Sequence, residues 1–380
     1  MRQGKHFRIP ERPADVEFLW REGKRLEAGD LPAWLLPDDS SEYRLANIAS
    51  TLNLSDGAPK DFKSEMEELE LAGMIVEPET NGHSGSRVYI PAPLYPDLWS
   101  IGIYSGDSPL NLTSEGNAKN PVITRDDVTD VSAVFVADPF IIKVKDLWYM
   151  FFEVMNWRTN KGEIGLAISS DGRQWRYERI VLSESFHLSY PYVFEWMGEH
   201  YMIPESYQAG SIRLYKAVDF PADWSFVGTL LEGPYLVDAS VFRYDDKWWL
   251  FTETNRQEKH DTLRLYFADN LTGPWREHPQ SPIVQGNAEA ARPAGRVLID
   301  DGRIFRFAQN CAQFYGTSVR AFEITKLTAT EYAECEVGPC PIVGPGEAIW
   351  NGGGMHHIDA HKLDNGSWLA CVDGWRRASE

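Results

Sequence analysis

Cysteine is scarce in this chain: four residues in 380, Cys311, Cys335, Cys340 and Cys371, too widely spaced for a metal-binding motif and read as free thiols rather than a disulfide framework. No apolar run approaches the length of a membrane span. The opening residues MRQGKHFRIPERP lack the apolar stretch of a secretion signal, so the expectation is a cytoplasmic protein. Positive charge is also in deficit. Lys and Arg number 37 against 56 Asp and Glu, a net charge of -19, which argues against general affinity for nucleic acid or anionic membranes.

What is abundant is a repeated pattern. The stretch VADPFIIKVKDLWYMFFE, Val136 to Glu153, alternates apolar residues, turns through Lys and Asp, and ends in an aromatic strand closed by a carboxylate. Near-copies follow as SYPYVFEWMGEHYMIPE from Ser189 and VDASVFRYDDKWWLFTE from Val237, with looser ones from Ala291 (ARPAGRVLIDDGRIFRFAQ) and Ile358 (IDAHKLDNGSWLACVDG). Period-two alternation around a short turn specifies a β-hairpin. Second halves repeat as well, in EIGLAISSDGRQW, SIRLYKAVDFPADW, TLRLYFADNLTGPW and SVRAFEITKLTATEY, each followed by a short strand such as ERIVL, SPIV or CPIV. Four strands at intervals of roughly fifty residues indicate blades of a β-propeller.

The fifth unit runs out of chain before it can supply its outer pair. SIGIYSGDSPLNL from Ser100 and NPVI from Asn120 match the missing template, so this upstream segment is expected to complete the last blade. The predicted class is mainly β: a five-bladed propeller over 96–380 closed by an upstream segment, which leaves no open sheet edge.

Residues 1–95 differ in texture. DVEFLWREGKRLEAG, EYRLANIASTLNL and KDFKSEMEELELAGMI have helical apolar spacing, and RVYI reads as a short strand, together suggesting a small winged-helix-like α/β module. The expected recognition helix is acidic, which favours a protein partner or self-association over DNA.

Inner strands of a propeller run along the central channel, so their ends converge on one face. The opening positions Asp138, Tyr190, Asp238, Arg292 and Asp359, with Glu153, Glu205, Glu253 and Asp373 at the far ends of the second strands, are the expected ring. Crowded carboxylates cannot all ionise without mutual cost, a situation that glycoside hydrolysis uses by pairing a base with a protonated donor. Arg292 would bind an anionic substrate group or neutralise the ring. His356, His357, Asp359 and His361 are dense enough in donors to contact substrate or hold an ion, or to be packed histidines; no metal or cofactor is assigned. Gly352 to Gly354 is read as a flexible approach to the funnel, His187 as a rim residue and Trp157, outside the alternation, as a sugar platform.

The ordered motifs WSIGIYSGDSP, FVADPFI, HLSYPYVF, YMIPESY, ARPAGR and GMHHID closely resemble the propeller at the N-terminus of plant glucosamine inositolphosphorylceramide transferases and related bacterial proteins, over roughly 98 to 375. More remotely, ADP at Ala137 to Pro139 resembles five-bladed glycoside hydrolases of family 43. The resemblance implies a role with a small-molecule or sugar-conjugate substrate: hydrolysis or transfer of a glycosyl group, binding only, or tailoring of another metabolite recruited by the N-terminal module. By the remoter resemblance Asp138 would be the base; Glu205 is the preferred acid and Asp238 the group that tunes it. Glu232 carries the local string Glu-Gly-Pro but falls in an expected linker. Tyr190, Glu253, Arg292, His356, His357, Asp359 and Trp157 are the substrate-binding candidates.

Overall fold

A computed structural model describes residues 97–114, 119–257 and 259–377, together with the backbone of one hairpin further upstream. That hairpin pairs β1 (Ile75–Pro78) with β2 (Ser86–Tyr89), Ile75 opposite Tyr89. The helical segments expected before it lie outside the described residues.

The rest is the five-bladed propeller. Blade one is β5 (Ala133–Val144), β6 (Leu147–Asn156), β7 (Lys161–Ser169) and β8 (Arg176–Leu182). Blade two is β9 (Ser189–Trp196), β10 (Glu199–Glu205), β11 (Ser211–Asp219) and β12 (Asp223–Glu232). Blade three is β13 (Val237–Tyr244), β14 (Lys247–Glu253) and β15 (Thr262–Ala268), with its outer edge split into β16 (Arg276–Glu277) and β17 (Val284–Gln285). Blade four is β18 (Leu298–Asp300), β19 (Arg303–Asn310), β20 (Ser318–Leu327) and β21 (Tyr332–Val337).

Blade five closes the ring as expected. Its inner hairpin, β22 (Ile358–Lys362) and β23 (Trp368–Arg377), comes from the C-terminal end, and its outer strands β3 (Asp97–Ser108) and β4 (Asn111–Thr113) come from upstream. The seam is a continuous antiparallel ladder from Trp368 opposite Gly106 to Arg377 opposite Asp97.

Two local devices recur. At the tip of each inner hairpin in blades one to four a two-residue turn enters the left-handed region, at Lys145 (φ 56°), Met197 (54°), Asp245 (48°) and Asp301 (48°), the geometry that matches strand twist. At the channel end, blades one to three carry a bulge. Ala137 pairs with Glu153 and Phe140 with Phe151, leaving Asp138 and Pro139 between them; Tyr190 and Asp238 occupy the same place in their blades. All three have left-handed φ, 53°, 44° and 51°. A buried tyrosine in that region costs energy that surrounding structure must offset, and such strain concentrates at functional sites.

Proline explains where the expected outer strands fail. CPIV contributes a single bridge, Val343 to Val319, and NPVI likewise only Ile123 to Ile101; SPIV gives only Val284 to the two-residue β17. Proline cannot donate to a ladder, so YAECEV and NLT take the edge positions instead. Hydrophobic clusters join neighbouring sheets in turn around the ring, through residues such as Phe151 and Met202, Phe251 and Ile304, Phe307 and Ala370, then Cys371 and Met150.

Candidate functional site

Tight packing between blades and the three bulges bring a group of buried polar side chains to one end of the channel. Asp373 anchors it. Its Oδ1 accepts the backbone N–H groups of His356 and His357 at 3.1 and 3.0 Å, and its Oδ2 accepts the N–H of Asp138 at 3.1 Å. The Asp138 carboxylate in turn accepts the N–H of Tyr190 at 3.3 Å. His356 lies between the two acids, Nδ1 2.7 Å from Asp373 and Nε2 3.7 Å from Asp138, while His357 Nδ1 is 3.9 Å from Asp138.

Across the hub Asp238 is held by Arg292 Nε at 2.6 Å and by the amide of Gln309 at 3.0 Å. Tyr190 donates through its hydroxyl toward the Gly295 carbonyl and accepts the Gly295 N–H at 2.6 Å, with Ser240 2.8 Å away. Glu205 accepts from the Tyr207 N–H at 2.7 Å and Ser189 Oγ at 3.2 Å. Glu253 Oε1 accepts the Asn255 N–H, whereas its Oε2 is buried without a partner among the described residues, as are both ring nitrogens of His357.

Burial dominates the electrostatics. It pushes Glu205 up to about 8, opposed by the Tyr207 N–H, and Glu253 up to about 7. Asp138 rises to about 7, because burial and the neighbouring Asp373 and Asp238 outweigh the His356 and Arg292 charges. Glu153 is driven well above the carboxylate range by burial, then by Asp138 and Glu205. Asp373 moves the other way: burial is overcome by His356 and the hydrogen bonds it accepts, leaving it ionised. Burial opposes charge on His356, yet Asp373 raises it overall; His357, with no such contact, is lowered by burial to about 4. His187 is also held neutral by burial. Its Nδ1 accepts the Gly162 N–H at 2.9 Å, so Nε2 carries the proton and points at Glu153, 3.4 Å away.

Several sequence expectations need correcting. Asp359 is not in the ring with Asp138: it pairs with Cys371 in the ladder, as Phe140 pairs with Phe151, one step deeper. There it binds Arg296 Nε at 2.7 Å and accepts the Ile141 N–H, and the guanidinium, after burial is overcome, holds it below the usual range. His361 joins this deeper pair at 3.1 Å, while His357 turns to the edges of Phe140 and Tyr190, so the donor-rich stretch from His356 to His361 divides between two layers. Gly353 is a packing residue, since a Cβ there would sit 2.2 Å from the Trp375 ring. Glu232 is exposed at the end of outer strand β12. Trp157 follows β6 and is buried.

Ligand atoms of Asp138, His356 and Asp373 lie within 4.8 Å of one another, a spacing a cation could bridge, although here they engage each other. Four contributors escaped sequence reasoning. Arg296 and Gln309 hold the aspartates, and Trp99 stacks on His356 with ring centres 3.9 Å apart. Tyr315 lies over Arg292 at 4.9 Å, edge-on to His356 and tilted against His260, capping the hub from a loop in which the adjacent Phe314 is 66% exposed. An aromatic pair outside any strand pattern, in CAQFYG, was the available signal.

A β-propeller whose bulged inner strands gather buried, partly protonated carboxylates defines the architectural class. Over residues 96–375 the chain matches the family described as glucosamine inositolphosphorylceramide transferase 1, N-terminal, and it belongs to that family. It is 39% identical over 298 residues to glucosamine inositolphosphorylceramide transferase 1 of Oryza sativa subsp. japonica, a match covering 73% of this chain and 40% of that protein. The chain thus spans about two fifths of the relative's length. Among solved structures, β-1,2-mannobiose phosphorylase from Listeria innocua has a TM-score of 0.53 at 12% identity, covering 73% of this chain and 97% of that one. The family 43 glycoside hydrolase protein BlXynB of Bacillus licheniformis has a TM-score of 0.48 at 15% identity, covering 64% and 53%. The likeness to the phosphorylase is one of fold alone. Among the described residues no helix is long and apolar enough to cross a membrane.

Proposed function

We propose that the hub binds a glycosyl group of a sugar conjugate and acts on its glycosidic bond, with Asp138 as base and Glu205 as acid. The observation that carries this reading is the gathering of buried carboxyls at the bulged end of the channel, where burial raises both Asp138 and Glu205 toward neutral pH. Near neutrality a fraction of molecules holds Asp138 ionised and Glu205 protonated together, the state that general acid and base catalysis needs. Asp138 would take the proton of an attacking water or acceptor hydroxyl as it bonds to the anomeric carbon, and Glu205 would give its proton to the departing oxygen. Arg292 and Gln309 fix the position of Asp238, which adds to the burial that raises Asp138 and Glu205. The plant relatives, glucosamine inositolphosphorylceramide transferases, make an amino sugar or an inositol phosphate conjugate the first substrates to try. On this reading the protein works inside the cell, and residues 1–95 serve as a docking or self-association module.

One observation favours a second reading, a hub that binds without turnover. The Asp138 and Glu153 side chains are only 8% and 7% exposed, and Asp238 is spent on its ion pair. Chromogenic glycosides and calorimetry with free sugars, glucosamine included, separate the two. The enzymatic reading expects a bell-shaped rate with limbs near 7 and 8, and a loss of about a hundredfold or more in both Asp138→Asn and Glu205→Gln. Binding without turnover selects the second reading; neither binding nor turnover rejects the hub as a carbohydrate site.

A further inference from the structure

A cavity of about 360 Å³ lies beside the closure seam, between the starts of β3, the 120–126 segment and the 348–350 turn, and the reading of the hub makes no use of it. We propose that it is a second binding site, for a phosphorylated sugar. Its size falls at the small end of ligand sites, about 300–1,000 Å³, which suits one monosaccharide with a phosphate.

The walls are built and fixed. Trp99 and Trp350 are both buried and form an apolar wall of the cavity. Trp350 is pinned: added Cβ atoms at Gly102 and Gly374 would meet its ring at 2.5 and 2.9 Å, so glycine at both positions gives the indole its seat. Asn120 is fixed by paired hydrogen bonds to the N–H and carbonyl of Ile103, at 2.8 and 2.9 Å. Ile349, 70% exposed, forms an apolar lip.

Charge selects the ligand. Arg125 and Arg376 both line the cavity of a protein with net charge -19, where cations are the minority. Arg125 is 3.6 Å from the exposed Asp126, a loose pair that an anion can displace. Arg376 makes no ion pair among the described residues; its Nη1 reaches only the Arg377 carbonyl at 3.3 Å. Planar guanidinium groups bind phosphate oxygens in pairs, which a neutral sugar does not exploit.

Titration of the full-length protein with glucose 1-phosphate, glucose and inorganic phosphate, by calorimetry and tryptophan fluorescence, tests the assignment. The expected result is that glucose 1-phosphate binds at least about tenfold more tightly than either fragment, and that Arg376→Ala weakens it about tenfold, the loss of one charge-assisted contact. Asp138→Asn should leave that affinity unchanged, which separates this site from the hub whatever the hub does. Glucose binding as tightly as its phosphate, an Arg376→Ala protein of unaltered affinity, a loss confined to Asp138→Asn, or no binding by folded wild-type protein would each overturn it.

Discussion

Replacing Glu205 by Gln tests the hub electrostatics without any knowledge of substrate. Glu205 is buried in the native state and rises from an ordinary 4.5 to about 8. A carboxyl whose folded value is raised contributes stability that is fully present below its unfolded value and is lost as pH climbs through the folded one. At 1.36 kcal/mol per unit, the wild-type protein should therefore lose on the order of 4 kcal/mol from this group between acid pH and pH 8. Glutamine stays neutral throughout, and its amide oxygen can still accept the Tyr207 N–H that Glu205 accepts at 2.7 Å. Asp138 and Glu253 titrate in the same window but do so in both proteins, so their contributions cancel to first order. Urea unfolding at pH 5, 6.5 and 8, followed by tryptophan fluorescence, should show Glu205→Gln gaining on wild type as pH rises. Parallel stability profiles would mean that Glu205 ionises at an ordinary value, and the acid assigned to it would be lost with it.

Arg296→Ala should cost about 3–5 kcal/mol of unfolding free energy, since it strands the fully buried Asp359 carboxylate and abandons the Val193 carbonyl at 2.9 Å; the pair R296M/D359N should recover most of this, and a single-variant loss below about 1 kcal/mol refutes the rivet. Tyr315→Ala should weaken glycoside binding at the hub about tenfold while shifting Tm little, as expected for a half-exposed aromatic contact, and an unchanged Kd would remove Tyr315 from the site.

How much of this was legible depends on the range of the interaction. The blades follow from local signals, alternation and turns, and the closure from an upstream segment that repeats the outer-strand template. Asp138, Tyr190 and Asp238 were recognisable because three repeats share one bulge and one two-residue turn. Asp359 was misplaced because blade five departs from both: Lys362 pairs with Trp368 across a longer loop, so aligning on an Asp beside Ala shifted the register toward the turn. Arg296 could not be read at all. Its side chain reaches Asp359 of blade five, Val193 of blade two and the Phe140 and Tyr192 rings, contacts that span most of the ring in sequence.

The two layers of the hub therefore obey opposite rules, and the contrast indicates which one selection for function has shaped. In the deeper layer charge is matched: Arg296 meets Asp359 with His361 beside it, and Asp359 is stabilised in its ionised form, contributing stability above its unfolded value that is lost only as pH falls through its lowered one. At the bulged end charge is unmatched. Asp138, Glu153, Glu205, Asp238, Glu253 and Asp373 are all buried there, with Arg292 and His356 as the nearby cations, and four of the six are pushed upward. Amides at Glu205 or Glu253 would keep the backbone hydrogen bonds and remove the cost of ionisation near neutral pH. Three left-handed residues add strain at the same end. The proposed site would use both features, since it must hold some carboxyls protonated and others ionised around one ligand.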